Sequence, residues 1–471
     1  MNANAAERMN AISEQGLCIG CGLCQAVAGR DKICIMKTAS GDERPVVVDA
    51  EALDDATVDK IYAVCPGLHV EGLPQRQLTR ATALDKVWGP HLRIARAWAG
   101  DARTRFEGST AGVLTALAQF ILDDNRADCI LHVKASTAEP TFGERHLSFT
   151  VADVLEGAGS RYGPAAPLAD VDAVLARGQR FAFIGKPCDI AALRNLARFD
   201  ARVDKLVKYF LTPVCGGYMP PAALDKFLAR KNIARADITA MRYRGRGCPG
   251  PTRVETMDAA GGAAHEFDYL DVWGEDASGW QLPFRCKICP DGIGEAADIA
   301  AADTWHGGSP TPEEVKTDPG INAVIARTAA GAELLNAAAA AGAVVIERES
   351  ATHELCAYQP HQVRKKYTAY DRHRGLEDAG RLTLQTKRLR IEELAAERPA
   401  DERAQQRQGA RARAVKANEA TPVAFVATLA PASATPTVSP TTTPTVSSTV
   451  ESAGPSPATP AVSPTATPAG C

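Results

Sequence analysis

Arg180–Phe199, RFAFIGKPCDIAALRNLARF, decides how the middle of this chain folds. Phe181-Ala182-Phe183-Ile184 is an apolar run of strand length, Gly185 breaks it, and the residues from Lys186 onward carry helical apolar spacing. The same order recurs on both sides. Upstream, Gly108-Ser109-Thr110 precedes AGVLTALAQFIL (111–122), an apolar helix for which Ser109 or Thr110 is the candidate N-cap, and DCILHV (128–133) reads as a buried strand. Downstream, LVKYFL (206–211) is a third strand, running into Thr212-Pro213-Val214-Cys215-Gly216-Gly217. Residues 319–347 add a strand (INAVIA), an Ala-rich helix and another strand (AVVIE). Strands alternating with helices predict an α/β unit with a largely parallel sheet.

In this arrangement Cys188 and Cys215 both fall just past the carboxyl ends of predicted strands, where open α/β sheets bind ligands. Both sit in Pro/Gly-containing loops, an unusual setting for cysteines that only pack a core. Cys286-Lys287-Ile288-Cys289 adds a C-x₂-C pair in a turn-rich segment. These four thiols suffice for one 4Fe–4S cluster or one zinc ion. Cys248 is a spare ligand candidate. Its surroundings, Gly245–Gly250, match G-x-G-x-x-G in form, but Pro249, Pro251 and the strand-like TRVETM that follows do not open a helix, so the match is no dinucleotide fingerprint. Cys34, Cys129 and Cys356 read as core residues.

A second thiol set is denser. Cys18-Ile19-Gly20-Cys21-Gly22-Leu23-Cys24, followed by Cys65-Pro66, has the ligand spacing of a ferredoxin-type 4Fe–4S cluster. Glycines at 20 and 22 let a compact loop wrap three corners of a cube and aim backbone N–H groups at sulfurs, while the fourth thiolate arrives from elsewhere. Ala28 stands where a further cysteine would extend the run, so one cluster is expected here. Structural zinc is the alternative, although zinc sites usually present two separated C-x₂-C pairs.

Composition bounds the setting. A chain of 471 residues, 45% hydrophobic, can bury a sizeable core in two or three folded units. A net charge of −3 gives no sign of a nucleic-acid partner. Thirteen cysteines are too sparse for a disulfide scaffold, and their clustering reads as metal ligation. Residues 1–17 contain no apolar signal-peptide core, and no uncharged run approaches the roughly 20 residues that span a bilayer. A soluble cytoplasmic protein is expected. Residues 362–420 are rich in Arg and Lys with helical periodicity and read as a solvated helix. Residues 421–471 are almost wholly Pro, Thr, Ser, Ala and Val, a composition expected to be disordered.

Taken in order, CIGCGLCQ, RPVV, VCPG, GSTAGVLTALAQFIL, SRYGPAAPL, FIGKPCDIAALRNL, PVCGGY, RCKICPDGIGEAADIAAADTW and INAVIARTAAGAELL resemble the coenzyme F₄₂₀ hydrogenase/dehydrogenase beta-subunit family from residue 18 to about 347. The resemblance implies an α/β (α+β overall) protein: a small ferredoxin-like cluster module (1–75), then a mixed-sheet flavin and iron–sulfur domain in two parts (84–168 and 169–361); the helical extension (362–420) and disordered tail (421–471) read from composition follow that domain. It implies two 4Fe–4S clusters and FAD. Cys18, Cys21, Cys24 and Cys65 fall on the first cluster, and Cys188, Cys215, Cys286 and Cys289 on the second. Ser109, Thr110, Gly112, Ser160, Arg161 and Tyr162 fall on the family's polar loops as flavin contacts; for Ser109 and Thr110 a plain helix cap is the alternative. Lys186 and His306 are candidate catalytic residues, and Ala302-Asp303 departs from the family's more usual Gly-Asp. The activity implied is an oxidoreductase taking electrons from ferredoxin or a similar donor, through clusters and flavin, to a small organic substrate. Its alternatives are a subunit exchanging hydride with coenzyme F₄₂₀ beside a partner dehydrogenase, and a zinc-stapled interaction protein.

Overall fold

The computed structural model describes residues 4–258, 261–273 and 282–418. Its centre is an eight-stranded sheet of β1 (Arg93–Ala99), β2 (Cys129–Ala135), β3 (Gly143–Ser148), β4 (Phe181–Ile184), β5 (Val207–Pro213), β6 (Ile299–Asp303), β7 (Asn322–Ala326) and β8 (Val344–Glu349). The spatial order is β8-β1-β7-β6-β5-β4-β2-β3. The stretch 180–199 forms β4 and helix α1 (Pro187–Leu196). Parallel pairing runs only through β2, β4, β5 and β6, and both flanks are antiparallel. The sheet is therefore mixed rather than largely parallel, because β7, β1 and β8 are added without the right-handed crossovers that parallel neighbours need.

Alternation along the strands builds a core on each face. Ile130, Ala182, Leu211 and Val324 point to one side, with the helix Val113–Asp123 and the Ala-rich helix Ala329–Ala340. Leu131, Phe183 and Phe210 point to the other, against α1. Burial on both faces explains why these strands read as continuous apolar runs.

Between β5 and β6 lies a unit that the sequence showed only through TRVETM. Strands Ile238–Arg242, Thr252–Asp258 and Gly261–Phe267 form an antiparallel sheet that packs with helices Pro221–Arg230 and Tyr269–Trp273 around Tyr243, Val254 and Trp305.

The N-terminal module contains helix Ala5–Glu14, the hairpin of Ile33–Lys37 and Glu43–Val47, and helix Asp55–Val64. Its strand His69–Glu71 pairs in parallel with Gln385–Lys387 of the extension. The extension is not the solvated helix that its charge suggested. Helices α2 (Pro360–Glu377) and α3 (Ala400–Asn418) pack on each other and on the module, with Ala369, Leu376 and Ala410 sharing a core with Ile12, Leu17 and Ile61. Lys366, Asp371 and His373 are buried, and Lys366 forms an ion pair with the fully buried Glu295. Pairing of this kind lets a charged helix enter an interior. The reading of 421–471 as disordered lies outside the described residues. Among the described residues no helix is long and apolar enough to cross a membrane.

Candidate functional site: two thiol sets beside a polar cavity

Cys18, Cys21, Cys24 and Cys65 line one small cavity walled by Met9, Ile12, Ile61 and Val64. Gly20 and Gly22 adopt φ of 70° and 85°, and a Cβ on Gly22 would stand 2.8 Å from Ala169, so the loop requires its glycines. The N–H of Gly20 donates to the Cys18 sulfur at 3.4 Å. Backbone N–H groups of Leu23, Gln25, Gly67 and Leu68 favour thiolate at Cys21, Cys24 and Cys65 in the same way. Burial nevertheless pushes the Cys65 thiol up to about 12, with the Cys18 sulfur adding to the rise, and it pushes Cys21 and Cys24 well above the ordinary thiol range. Four crowded thiols with this donor arrangement ionise together only if a cation supplies compensating charge. The residues fit an iron–sulfur cluster. Among the described residues no three His, Cys, Asp or Glu side chains converge as the ligands of a single ion would. These sulfurs stand round the walls of a space instead.

The second set also comes together. Cys188 lies in the first turn of α1, Cys215 just past β5, Cys286 on a short helical turn (Phe284–Lys287) and Cys289 just past it. Burial raises Cys188, Cys215 (to about 11) and Cys286, and the sulfurs reinforce one another across the set. The Cys286 sulfur receives the Tyr218 N–H. Helix α2 braces this site: Gln362 Nε2 donates to the Cys215 carbonyl at 2.7 Å and Lys365 Nζ to the Gly216 carbonyl at 3.0 Å. Cys34 lies in the N-terminal hairpin and does not line the first cavity. Cys248 is buried and faces Asp318 at 3.5 Å.

Cys215 also forms part of the wall of a cavity of about 440 Å³ at the carboxyl ends of β4 and β5. That volume is in the range of small-molecule sites. Ser109, Thr110, Gly112, Ser160, Arg161, Tyr162 and Lys186 all line it. Neither Ser109 nor Thr110 caps the following helix, which starts at Val113 behind Gly112 in the left-handed region. Ser109 Oγ instead accepts the N–H and hydroxyl of Ser160, tying the two polar loops together, and Thr110 bonds Asp303. Arg161 donates to the Met241 carbonyl at 2.7 Å, and burial, with Arg242 nearby, lowers it to about 10. Lys186 pairs with Asp189 at 2.7 Å; burial opposes its charge, but Asp189 and the nearby sulfurs outweigh that and hold it up.

His306 does not line this cavity; it is exposed and sits edge-on to Tyr358. The histidines in the wall are His132 and His361, each lowered to about 4, first by burial and then by neighbouring cations or, at His132, by His146. Arg244 escaped the sequence reading altogether. It is 4% exposed, donates to the Ser109 carbonyl at 2.9 Å and Thr110 Oγ1 at 3.1 Å, pairs with Asp303 at 3.2 Å, and lies over the Tyr269 and Trp305 rings. No local pattern marks it, since its hydrogen-bond partners come from residues more than fifty positions away.

The chain matches the N-terminal (94–171) and C-terminal (178–352) profiles of the coenzyme F₄₂₀ hydrogenase/dehydrogenase beta subunit. Together these cover more than half of its length, from β1 to just past β8. A curated relative, the coenzyme F420-dependent sulfite reductase of Methanocaldococcus jannaschii, is 24% identical over 351 residues, covering 70% of this chain and 47% of the relative. The chain thus spans about half the length of that relative. Among solved structures, a chain of the F420-reducing NiFe hydrogenase complex from Methanosarcina barkeri is similar at 19% identity and a TM-score of 0.47, covering 62% of this chain and 95% of that one. The paired profiles take in the central sheet from its first strand's second residue onward, most of the cavity wall and the four cysteines of the second thiol set: the chain belongs to the coenzyme F₄₂₀ hydrogenase/dehydrogenase beta-subunit family.

Proposed function

We propose that this chain is an iron–sulfur flavoprotein that passes electrons between a hydride carrier and a one-electron partner. One 4Fe–4S cluster is assigned to Cys18, Cys21, Cys24 and Cys65, a second to Cys188, Cys215, Cys286 and Cys289, and FAD to the cavity. The observation that carries the reading is the double position of Cys215, which belongs to the second thiol set and to the cavity wall. A flavin supplies the exchange between two-electron hydride chemistry and the single electrons that clusters carry.

The chain's own residues bind and orient. The tied loops of Ser109 and Ser160 present small side chains to a phosphate, and Arg161 and Arg244 add positive charge and planar donor forks. Lys186 holds positive charge between the cavity and the second thiol set. Tyr162, Tyr269, Trp273 and Trp305 give an aromatic wall suited to a planar ring. Family membership and the sulfite reductase relative support a deazaflavin such as coenzyme F₄₂₀ as hydride carrier, with a partner dehydrogenase subunit receiving or supplying electrons. In a second reading the first thiol set would hold the cluster that accepts electrons from ferredoxin, and the cavity would hold a small organic substrate beside the flavin. The partial exposure of Cys18, Cys24 and Cys65, shared with the four cysteines of the second set, is compatible with a docking donor.

Anaerobic iron, sulfide and flavin quantitation tests the common core: about eight iron atoms and one FAD per chain are expected. Colourless protein carrying stoichiometric zinc would eliminate it. Reduced coenzyme F₄₂₀, added without any partner, should then bleach the flavin. If only reduced ferredoxin does so, and an organic substrate turns over without a partner, the second reading replaces the first.

A further inference from the structure

Arg285 precedes Cys286 in the chain, yet its guanidinium reaches the other thiol set. Nε and Nη2 donate to the Pro66 carbonyl at 3.1 and 2.6 Å, and Pro66 follows Cys65. The residue is 2% exposed. Among the described residues no carboxylate pairs with it, and its one hydrogen-bond acceptor is this neutral carbonyl. The charge lies close enough to both Cys65 and Cys286 to favour thiolate at each. The contact is anchored on two further sides. Phe284 packs on Gly16, just ahead of the first loop, and His373 of α2 donates to the Ile288 carbonyl at 2.9 Å.

A buried guanidinium without a carboxylate is costly unless other negative charge faces it. A 4Fe–4S core held by four thiolates is a net anion in both of its common oxidation states, and one such site flanks Arg285 on either side.

Resting on the iron–sulfur reading, we infer that Arg285 is a positioning residue shared by the two cluster sites: it raises the reduction potential of both and clamps Cys65-Pro66 against Cys286. The clamp makes a short route, Cys65–Pro66 C=O···H–N–Arg285–Cys286, along which one site loses a single electron and the other gains it, with no bond made or broken and no proton moved. Opposite charge nearby favours the more negative, reduced state of each site, so removing it lowers both potentials together.

The test uses the full chain, reconstituted anaerobically with iron and sulfide and followed by EPR-monitored redox titration. Arg285→Met is expected to make reduction about tenfold less favourable at both sites, about 59 mV for a one-electron couple. Arg285→Lys, which keeps the charge, should retain most of the original potentials. Fully reduced unsubstituted protein should show a spectrum split by spin–spin interaction between neighbouring clusters. Full iron content with both potentials unmoved in Arg285→Met, or only one moved, overturns the inference. So do two non-interacting signals in the unsubstituted protein, a result that stands even if the variant loses iron. A chain that binds no iron at all removes the cluster reading itself, and this inference with it.

Discussion

Arg244 holds four parts of the cavity with one side chain: the Ser109 loop, Thr110, the Tyr162 hydroxyl and Asp303 at the end of β6. Removing one partner of a buried ion pair costs about 3–5 kcal/mol, because the other charge is left uncompensated. Arg244→Met should destabilise the protein by about 3 kcal/mol in urea unfolding and weaken FAD retention. Arg244→Met combined with Asp303→Asn should cost less than the sum of the single changes, since both remove the same interaction. The cysteines were legible in the sequence because they stand at short, fixed spacings, as in Cys18-x₂-Cys21-x₂-Cys24 and Cys286-x₂-Cys289. Arg244 and His361 were not, because a side chain that works through partners distant in sequence leaves no local signature. His306 drew attention through proximity to Asp303 in sequence, but the chain turns at Gly307 and Gly308 (φ 84° and 90°) and leaves that ring outside.

Among elements, the turn into the helix Val113–Asp123 is a tightly constrained part of the cavity. Gly112 has φ of 69°, and a Cβ there would stand 2.5 Å from the Thr104 carbonyl oxygen. A left-handed conformation alone costs an L-residue about 1–2 kcal/mol, and the contact adds to it. Gly112→Ala should therefore destabilise by about 2 kcal/mol or more and lower flavin content, whereas Ala111→Gly, which needs no unusual backbone, should leave the Gly112 turn intact; urea unfolding with flavin fluorescence separates the two. The central strands were readable because burial on both faces makes them continuous apolar runs. The three-stranded sheet over 238–267 was not, since a strand such as GGAAHEF offers neither an apolar run nor clean alternation. The extension misled for a related reason. Its charge pattern is that of a surface helix, and only tertiary pairing, such as Lys366 with Glu295 and Arg390 with Glu295, takes those charges inside.

The molecule as a whole should be sensitive to acid. His132, His361 and His373 are each pushed down to about 4 from an ordinary 6.5, burial being the largest cause in every case. A histidine whose folded value is depressed contributes stability above its unfolded value and loses it as pH falls toward the folded one. Between about pH 6.5 and 4 the unfolded chain thus binds up to three protons that the native chain refuses at these sites. Urea unfolding across that window should show stability falling steeply with acid, and His373→Gln should remove about one proton from the slope.

The parallel pairing of His69–Glu71 with Gln385–Lys387 is secured by Arg388 donating to the Gly72 and Leu73 carbonyls, across a sequence separation of 316 residues at Gly72. Contacts of such separation form late, because a long loop must close before they are rewarded. On a ribosome the strand just after Cys65 therefore waits for its neighbour until the extension has emerged. The N-terminal module is thus tied to its neighbour only once Arg388 of the extension, 316 residues after Gly72, has been made.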